Sequence, residues 1–441
     1  MKHQTGVAFP DSASVLSAGR DVHALITELF PICRSLTGDG VRATLARLRE
    51  LVPLDIVTVP SGTAVLDWHV PKEWNIRDAW IKDSGGRKVV DFAASNLHVL
   101  SYSAPVHARL TLDALRPHLH SIPEHPDWIP YLTSYYNESW GFCLPHRVLE
   151  ALPDGEYEVC IDSTLADGEL LWGEWLLRGD TDDEVLLSTY LCHPSMANDN
   201  LSGTALLAHL AARMQGRRFR YTYRFLFIPE TIGSIAWLAR HQADLGRIRH
   251  GLVATCLGDR GDSTYKRCRT PSTIDRVVEV VLRDSGTPFR MIDFFPWGSD
   301  ERQFCSPGFD LPVGSLMRTP YAEFAEYHTS ADNLDFVTSD ALGDTLAKYA
   351  AVIDTLELDG VYRNLQPFGE PQLGRRGLYQ RLGAQRAQKE EKLAIFWVLN
   401  LSDGKHSLVE IAHRSGLPFR AVRAAAEALH AVNLLGPVDV S

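Results

Sequence analysis

The sequence predicts an α/β protein: a three-layer, mainly parallel sheet, an inserted mostly-β domain and a C-terminal winged helix-turn-helix domain. Residues 175–365 alternate continuous apolar runs with amphipathic helical segments, a pattern typical of parallel strands buried on both faces. Residues 56–174 show short alternating segments with many tryptophans and prolines, which indicates mostly β structure. Residues 381–441 contain three short helical segments, the last two separated by a Gly-Leu-Pro turn.

The α/β domain is predicted to combine residues 20–55 with residues 175–365. Its first part reads as two helices around a Gly-Asp-Gly turn. The runs "DDEVLLSTYLCHP", "YTYRFLFIPE" and "HGLVATCLGD" predict buried strands, and a helical segment follows each of them. His193, Glu230 and Asp259 all come directly after these strands. Because ligands collect at the carboxyl ends of strands in such sheets, we expect one site there.

The remaining parts of the chain are assigned by composition. "KDSGGRK" predicts a hairpin turn inside the β-rich insertion. Trp128 and Trp140 lie in loops of that insertion, where they either roof the site or pack in a core. Residues 366–380 are rich in proline and glycine and are predicted to be a linker.

Composition narrows the class of protein. The formal charge of −11 and a pI of about 5.9 argue against broad binding of nucleic acid or anionic membranes by the whole chain. No uninterrupted apolar stretch is long enough to span a membrane, and the first residues show no secretory signal. The seven cysteines are scattered without a CxxC pair. Free thiols in a reducing cytoplasm are therefore expected.

The stretch "LCHPSMANDNLSG" places His193 and Asp199 close together before a predicted helix. Asp199 or Asn200 can simply cap that helix, but the loop offers more capping residues than one helix needs. Glu230, in "FIPETIGS", follows a buried strand, where a carboxylate is costly without a partner or a chemical role. Its alternative is a favourable position at a helix amino end.

The stretch "EYHTSADN" adds His328, whose neighbours can also form a cap. Two histidines, one carboxylate and an additional glutamate are the inventory of a catalytic zinc site. Three side chains hold the ion there, and the glutamate takes a proton from water.

The stretches "HPSMANDNLSG", "PETIGS", "GSDERQF" and "YHTSADN" resemble, in this order, the motifs of the M28 zinc aminopeptidases. "VPSGT" and "DWHVPKEWNIRDAWI" resemble a bacterial subgroup of polysaccharide-biosynthesis proteins with an aminopeptidase-like domain. The resemblance implies a zinc-exopeptidase-like fold and a metallo-aminopeptidase-like hydrolase. It also implies His193, Asp199 and His328 as metal ligands, Glu230 as the general base, and Asp300 near the site.

Two departures from the family pattern bear on the metal. Thr231 stands where the family has a second glutamate ligand, and Thr255 or Cys256 where it has an aspartate. We therefore expect one zinc ion rather than two. If Glu230 is instead aligned with the second glutamate, it becomes a ligand and Pro229 replaces the base; the spacing to Gly233 favours the base.

For the substrate, a small peptide or amide, Asp300, Glu301 and Glu326 are candidates to hold a free amine. Surface charge or loop capping is their alternative. Tyr327 is a candidate to stabilise an oxyanion, and its alternative is packing. Single-zinc acyl transfer or cyclisation on the same scaffold is a second possible chemistry.

A non-catalytic protein that binds a ligand or DNA is the third possibility. The candidate recognition helix is rich in alanine and leucine, and its basic residues Arg420 and Arg423 are offset by Glu427. DNA readers present a clearly basic face. Packing, or homo-oligomerisation through the C-terminal domain, is therefore favoured over nucleic-acid binding.

Overall fold

The computed structural model describes residues 6–378 and 386–438, with only the backbone of residues 386–389. Part of the predicted linker and the predicted start of the C-terminal domain, at residue 381, lie outside the described residues. The chain begins with two helices and one strand, which are α1 (Ser12–Leu29), α2 (Asp39–Arg49) and β1 (Asp55–Pro60). The capping box of Asp11 with Ser14 starts α1.

The insertion follows as a run of short elements. They are β2 (Ala64–Val65), β3 (Trp68–His69), β4 (Glu73–Lys82), β5 (Lys88–Asp91), β6 (Val106–Thr111), α3 (Leu112–Leu115), β7 (Leu119–His120), β8 (Phe142–Cys143), α4 (His146–Glu150) and β9 (Glu156–Ala166). Strands β5, β4, β9 and β6 form an antiparallel sheet in that order. The predicted hairpin joins β4 to β5.

The α/β domain then resumes. Its elements are β10 (Glu169–Leu177), β11 (Glu184–Tyr190), α5 (Gly203–Met214), β12 (Thr222–Ile228), α6 (Ile232–His241), β13 (Ile248–Ala254), β14 (Ser263–Lys266), α7 (Thr273–Asp284), β15 (Phe289–Ile292), α8 (Glu301–Phe304), β16 (Val313–Met317) and α9 (Ser339–Leu358). Every residue of β11 and β12 is buried, as their continuous apolar sequences predict.

One eight-stranded sheet organises this domain, in the order β1-β10-β12-β11-β13-β16-β14-β15. Its centre, from β12 to β16, is parallel. Strands β1 and β10 pair antiparallel with their neighbours, and β14 is antiparallel to β16 but parallel to β15. Alternate residues of the central strands pack on α1, α5, α7 and α9 on one face, and on α6 and the insertion on the other. The predicted mainly parallel, layered α/β fold is confirmed.

The predicted boundaries of the insertion are too wide. Strands β1 and β10 lie at the two ends of residues 56–174, but both belong to the main sheet. Their sequences resemble the insertion because antiparallel strands are less uniformly apolar than central parallel ones.

The C-terminal domain begins earlier than predicted. Its elements are β17 (Val361–Asn364), α10 (Arg386–Leu401), β18 (Asp403–Ser407), α11 (Leu408–Ser415), α12 (Phe419–Ala431) and β19 (Leu435–Pro437). Strand β17 precedes the predicted linker of residues 366–380, yet it pairs with both β18 and β19. The described part of that segment, residues 366–378, therefore follows the first strand of the winged helix domain instead of preceding the domain. Among the described helices, none combines the length and apolar character that a membrane span requires.

Candidate metal and catalytic site

The loop between β11 and α5 carries the first two site residues. His193 and Asp199 are both buried, with 4% and 1% of their surface exposed. The Asp199–Asn200 peptide is cis. Asn200, not Asp199, binds the start of α5, because its Oδ1 accepts the N–H of Gly203, the first residue of that helix, at 3.2 Å. The Asp199 carboxylate is therefore free of the capping role that the sequence left open.

His328 completes a cluster with these two residues. One ligand atom from each of His193, Asp199 and His328 lies within 4.8 Å of the others. Asp199 Oδ2 lies 3.0 Å from His328 Nε2, yet both atoms are buried without a hydrogen bond. Two imidazoles and a carboxylate whose facing atoms lack hydrogen bonds fit a divalent zinc ion.

Protonation states in the cluster suit a cation. Burial lowers the pKa of His193 to about 4, which leaves the imidazole neutral at physiological pH. Burial opposes ionisation of Asp199, but the imidazoles and the Tyr190 hydroxyl hold the pKa of this carboxyl below its usual range. Neutral histidines and a charged carboxylate are the forms that bind metal.

The second oxygen of Asp199 already has a partner. The Tyr190 hydroxyl donates to Asp199 Oδ1 and lies 2.7 Å from Thr255 Oγ1. Tyr190 ends β11 and Thr255 follows β13, its parallel neighbour. A tyrosine–threonine pair therefore occupies one side of the carboxylate, and the two histidines occupy the other.

Asp332 anchors the loop between β11 and α5 through hydrogen bonds to its backbone. Its carboxylate accepts the backbone N–H groups of Asn198 at 2.6 Å and Asp199 at 2.8 Å. Burial raises the pKa of Asp332 to about 8. Asp259, which the strand pattern also placed at this sheet edge, binds the Asn198 amide at 3.1 Å and is a structural support of the same loop.

Glu230 lies across from the histidines. Its Oε2 is 3.9 Å from His193 Nε2, and 23% of its side chain is exposed. Burial, reinforced by the charge of Asp300, raises the pKa of Glu230 well above its usual range. The carboxylate has no ion pair with a lysine or arginine in the described part of the chain, so it is available to exchange a proton.

Asp300 stabilises the turn that carries Glu230. The completely buried Asp300 accepts the N–H of Thr231 at 2.7 Å through Oδ1, and burial raises its pKa to about 6. Thr231 has a φ of 61°, an unusual conformation for a β-branched residue. Asp300 thus holds the turn that presents Glu230.

Glu301 does not face a substrate. Its completely buried carboxylate is paired with Lys266 at 2.7 Å and accepts the Tyr321 hydroxyl at 2.8 Å. The expectation that Glu301 holds an amine is not supported by this geometry. Glu326 is half-buried, and none of the described residues pairs with its carboxylate. Of the three proposed amine binders, only Glu326 is partly exposed, whereas Asp300 and Glu301 are completely buried.

Three tyrosines surround the histidines: Tyr131, Tyr190 and Tyr327. Only Tyr327 was identified from the sequence. The Tyr131 ring lies 5.2 Å from both the His193 and the His328 rings, edge-on. The backbone N–H of Tyr131 donates to the backbone carbonyl of His328 at 2.8 Å. This hydrogen bond connects the insertion to the site. Tyr327 stacks on His328 at 4.0 Å. Trp128 and Trp140 instead stack on His125 and His118 within the insertion.

Neither Tyr131 nor Tyr190 could have been found from spacing. Tyr131 belongs to an irregular, proline-rich segment, and Tyr190 reads as one more apolar residue of a buried strand. Only the tertiary structure brings them to the cluster.

Known proteins match both parts of the chain. Residues 23–359 match the family described as a domain of unknown function, DUF4910, and residues 360–437 match a winged helix-turn-helix family. A Clostridium acetobutylicum protein named "Putative polysaccharide biosynthesis protein with aminopeptidase-like domain" is 54% identical over 418 residues, covering 95% of this chain and 96% of its own.

Solved structures agree with the fold. A crystal structure described as a "putative peptidase" from Clostridium acetobutylicum is 53% identical, with a TM-score of 0.91, and the match covers 97% of this chain and 98% of that one. BSAP, a zinc aminopeptidase from Bacillus subtilis, gives a TM-score of 0.55 at 13% identity, over 76% of this chain and 94% of its own. An M28 peptidase precursor from Shewanella amazonensis gives a TM-score of 0.54 at 14% identity, and the match covers 77% of this chain and 94% of that one.

The C-terminal match begins at residue 360, where the structure also begins the winged helix domain at β17. The α/β part has the fold of the zinc aminopeptidases over most of their length. The chain therefore belongs to the DUF4910 family of proteins with an aminopeptidase-like α/β domain, followed here by a winged helix domain.

Proposed function

We propose that this protein is a zinc-dependent amide or peptide hydrolase with one zinc ion held by His193, Asp199 and His328. The observation that carries the proposal is the buried contact between Asp199 Oδ2 and His328 Nε2, which lie 3.0 Å apart without a hydrogen bond. A carboxylate oxygen that faces the lone pair of a neutral imidazole is unfavourable without a third partner. The arrangement suits two ligand atoms that share one cation.

A single ion is favoured by the surroundings of Asp199. A carboxylate that bridges two ions needs both oxygens for the ions. Here the Tyr190 hydroxyl donates a hydrogen bond to Oδ1 of Asp199. Among the described residues other than Asp199, the side chain hydrogen-bonded to the Tyr190 hydroxyl is Thr255, so no second carboxylate lies there. Thr231 is likewise not a metal-binding acid, and its hydroxyl accepts from Arg302 at 3.0 Å.

The chemistry divides between the ion and the protein. When bound, zinc supplies a Lewis acid that polarises the scissile carbonyl and acidifies water. Glu230 acts as the general base, takes the proton from that water and later passes it to the leaving amine. Its raised pKa, caused by burial, makes the carboxylate a stronger base than an exposed glutamate.

Tyr327 is the proposed donor to the developing oxyanion. Its ring stacks on His328, and none of the described residues accepts a hydrogen bond from its hydroxyl. Burial raises the pKa of Tyr327 above its usual range, so the hydroxyl stays protonated. A neutral donor placed beside the ligands stabilises charge that appears only in the transition state.

The substrate class is inferred from the acidic side chains near the site that could bind a substrate amine. Glu326 is the proposed contact for a substrate amine, because Asp300 holds Thr231 and Glu301 pairs with Lys266. Because only one partly exposed glutamate is available to bind the amine, a free amine on the substrate is not strictly required. Peptides with a free amine and amides of polysaccharide precursors, which the name of the Clostridium relative suggests, are therefore both candidate substrates.

We also propose a cytoplasmic location and a packing role for the winged helix. All seven cysteines are free, and five of them are buried, which fits a reducing compartment. In α12, Arg423 is bound to Glu427 and to the Leu358 carbonyl rather than presented to a ligand. This domain is the proposed contact in any homo-oligomer.

The first experiment measures zinc per chain by elemental mass spectrometry. Wild type is compared with His193→Ala, with His328→Ala and with His250→Ala, a buried histidine in β13 outside the cluster. One zinc in wild type and in His250→Ala, with none in the two site variants, supports the proposal. A wild type without zinc, even after zinc is added back, overturns it.

A substrate screen follows on the zinc-loaded protein. Hydrolysis yields two products from one amide, whereas cyclisation releases ammonia or water from one substrate. Mass spectrometry of the products therefore separates the hydrolase from the acyl-transfer alternative.

A further inference from the structure

We propose that Cys192 is a positioning residue that orients both His193 and Glu230 through one buried sulfur atom. This inference rests on the proposed function, since it assigns a second role around the same zinc site. Cys192, His193 and Glu230 also have ligand atoms within 4.8 Å of one another. Cys192 is assigned a positioning role outside the proposed ligand set of His193, Asp199 and His328.

The Cys192 sulfur has two polar neighbours. It lies 3.6 Å from Nδ1 of His193 and accepts the backbone N–H of Glu230 at 3.3 Å. Cys192 is completely buried. Among the side chains and backbone that the structure describes, no carbonyl or carboxylate oxygen is hydrogen-bonded to Nδ1 of His193.

The register of the sheet produces this contact. Strands β11 and β12 are parallel neighbours with Tyr190 opposite Ile228. Cys192 and Glu230 each lie two residues beyond that pair, and the N–H of Leu191 still reaches the Ile228 carbonyl at 3.1 Å. The side chain of one strand extension therefore meets the backbone of the next.

The first effect of the sulfur is on His193. A histidine that binds metal through one nitrogen donates the N–H of the other to a fixed acceptor, which sets the tautomer and the ring orientation. Nε2 of His193 is the nitrogen nearer Glu230, at 3.9 Å. A proton on Nδ1, directed at sulfur, leaves the Nε2 lone pair for the ion.

The second effect is on the general base. The chain turns sharply between β12 and α6, and two successive N–H groups are held there: that of Glu230 by sulfur and that of Thr231 by Asp300 at 2.7 Å. Holding both amides limits rotation of the turn that carries the carboxylate. The same sulfur thus fixes the distance between a metal ligand and the base.

The test compares Cys192→Ala, Cys192→Ser and Cys268→Ala. Cys268 is also buried, but it contacts Tyr265 and Ser272 instead of the site. Zinc affinity is measured by competition with a chelator, and folding by the unfolding temperature. Loss of an outer partner of a metal-binding histidine typically weakens metal binding about 10–100-fold. We expect that loss in Cys192→Ala, substantial recovery in Cys192→Ser, and wild-type affinity in Cys268→Ala.

A second readout does not need zinc. In ¹⁵N spectra of histidine-labelled, metal-free protein, His193 of the wild type should carry its proton on Nδ1, and Cys192→Ala should shift the ring toward the other tautomer. Wild-type zinc affinity and an unchanged tautomer in a folded Cys192→Ala protein overturn the inference. Failure of the wild type to bind zinc instead overturns the proposed function, so the two failures are distinguishable.

Discussion

Asp199 Oδ2 and His328 Nε2 face each other at 3.0 Å, and neither atom has a hydrogen bond. The two residues are 129 positions apart in the printed sequence and meet where β11 ends. Buried polar atoms without partners are rare in folded proteins because their desolvation is uncompensated. A cation between them removes that cost.

Removal of zinc should therefore destabilise the folded chain. At a free zinc concentration about 100 times Kd, binding to the native state alone contributes about 2.7 kcal/mol. Calorimetry should show a lower unfolding temperature in chelator and recovery when zinc is restored. Asp199→Asn should lose this response, because it removes the charge that binds the ion. A wild type that unfolds at the same temperature with and without zinc would contradict the site.

Glu230→Gln should keep zinc and lose hydrolysis. The substitution preserves the shape of the side chain but removes the proton acceptor, which typically contributes about 10²–10⁴-fold to the rate. Glu323→Gln is the matched control, since Glu323 is exposed on the segment before His328 and pairs with Arg290. Loss of zinc from Glu230→Gln would instead show that Glu230 is a ligand, the alternative in which Pro229 replaces the base.

Local pattern and strand order were sufficient to predict that several candidate side chains lie close together, while their roles stay predictions. His193, Glu230 and Asp199 follow or flank buried strands, and parallel strands bring their carboxyl ends to one edge. His328 was found through a short motif, although its approach depends on the insertion. The fold class was likewise predictable from uniformly apolar central strands.

Residues whose roles depend on distant partners were not predictable. Glu301 looked like a free acid, but it is buried against Lys266, which is 35 positions earlier. Tyr190 looked like a core residue, but its hydroxyl takes one oxygen of Asp199. In both cases the local sequence is ordinary, and only the tertiary contact defines the role.

Tyr190, Thr231 and Thr255 should together keep the number of ions at one. Tyr190→Phe removes the donor from Asp199 Oδ1, while Thr255→Asp and Thr231→Glu introduce carboxylates at the two positions where the family pattern has acids. The triple variant should bind two zinc ions by elemental analysis, whereas Tyr190→Phe alone should stay at one because no new ligand is present. Two ions in the wild type would contradict the argument from Tyr190.

The contact between Arg42 and Glu73 should make stability depend on pH. Arg42 of α2 makes two 2.7 Å hydrogen bonds to Glu73 of β4, joining the α/β domain to the insertion. The hydrogen bonds from Arg42 lower the pKa of Glu73 from 4.5 to about 2. A lowered pKa means that the contribution is complete above pH 4.5 and disappears as the pH falls through about 2.

Glu73→Gln should therefore be less stable than the wild type by about 1–2 kcal/mol near pH 6, after allowance for the partial exposure of Arg42. Denaturant unfolding of metal-free protein should show this gap narrowing below pH 4.5. Asp162→Asn, at the more exposed Arg77 pair, should have little effect. A gap that stays constant from pH 6 to pH 2.5 would mean that Glu73 is not responsible.

The winged helix should not bind DNA in this protein. The amino end of a recognition helix normally contacts base edges. Here Asp284 of α7 accepts the N–H of Phe419, the first residue of α12, at 2.7 Å, and Arg283 donates to the Leu417 carbonyl at 2.8 Å. The α/β domain thus places a carboxylate where a phosphate or base would have to approach.

A mobility-shift assay with random duplex at low and high salt tests this prediction. We expect no shift at either salt concentration, and no change in Arg420→Ala, whose side chain lies on the exposed face of α12. Asp284→Ala should loosen the docked domain and increase proteolysis between the two domains without altering zinc content. A shift that weakens steeply with salt would show phosphate contacts and a nucleic-acid partner, because release of counterions makes such binding salt-dependent.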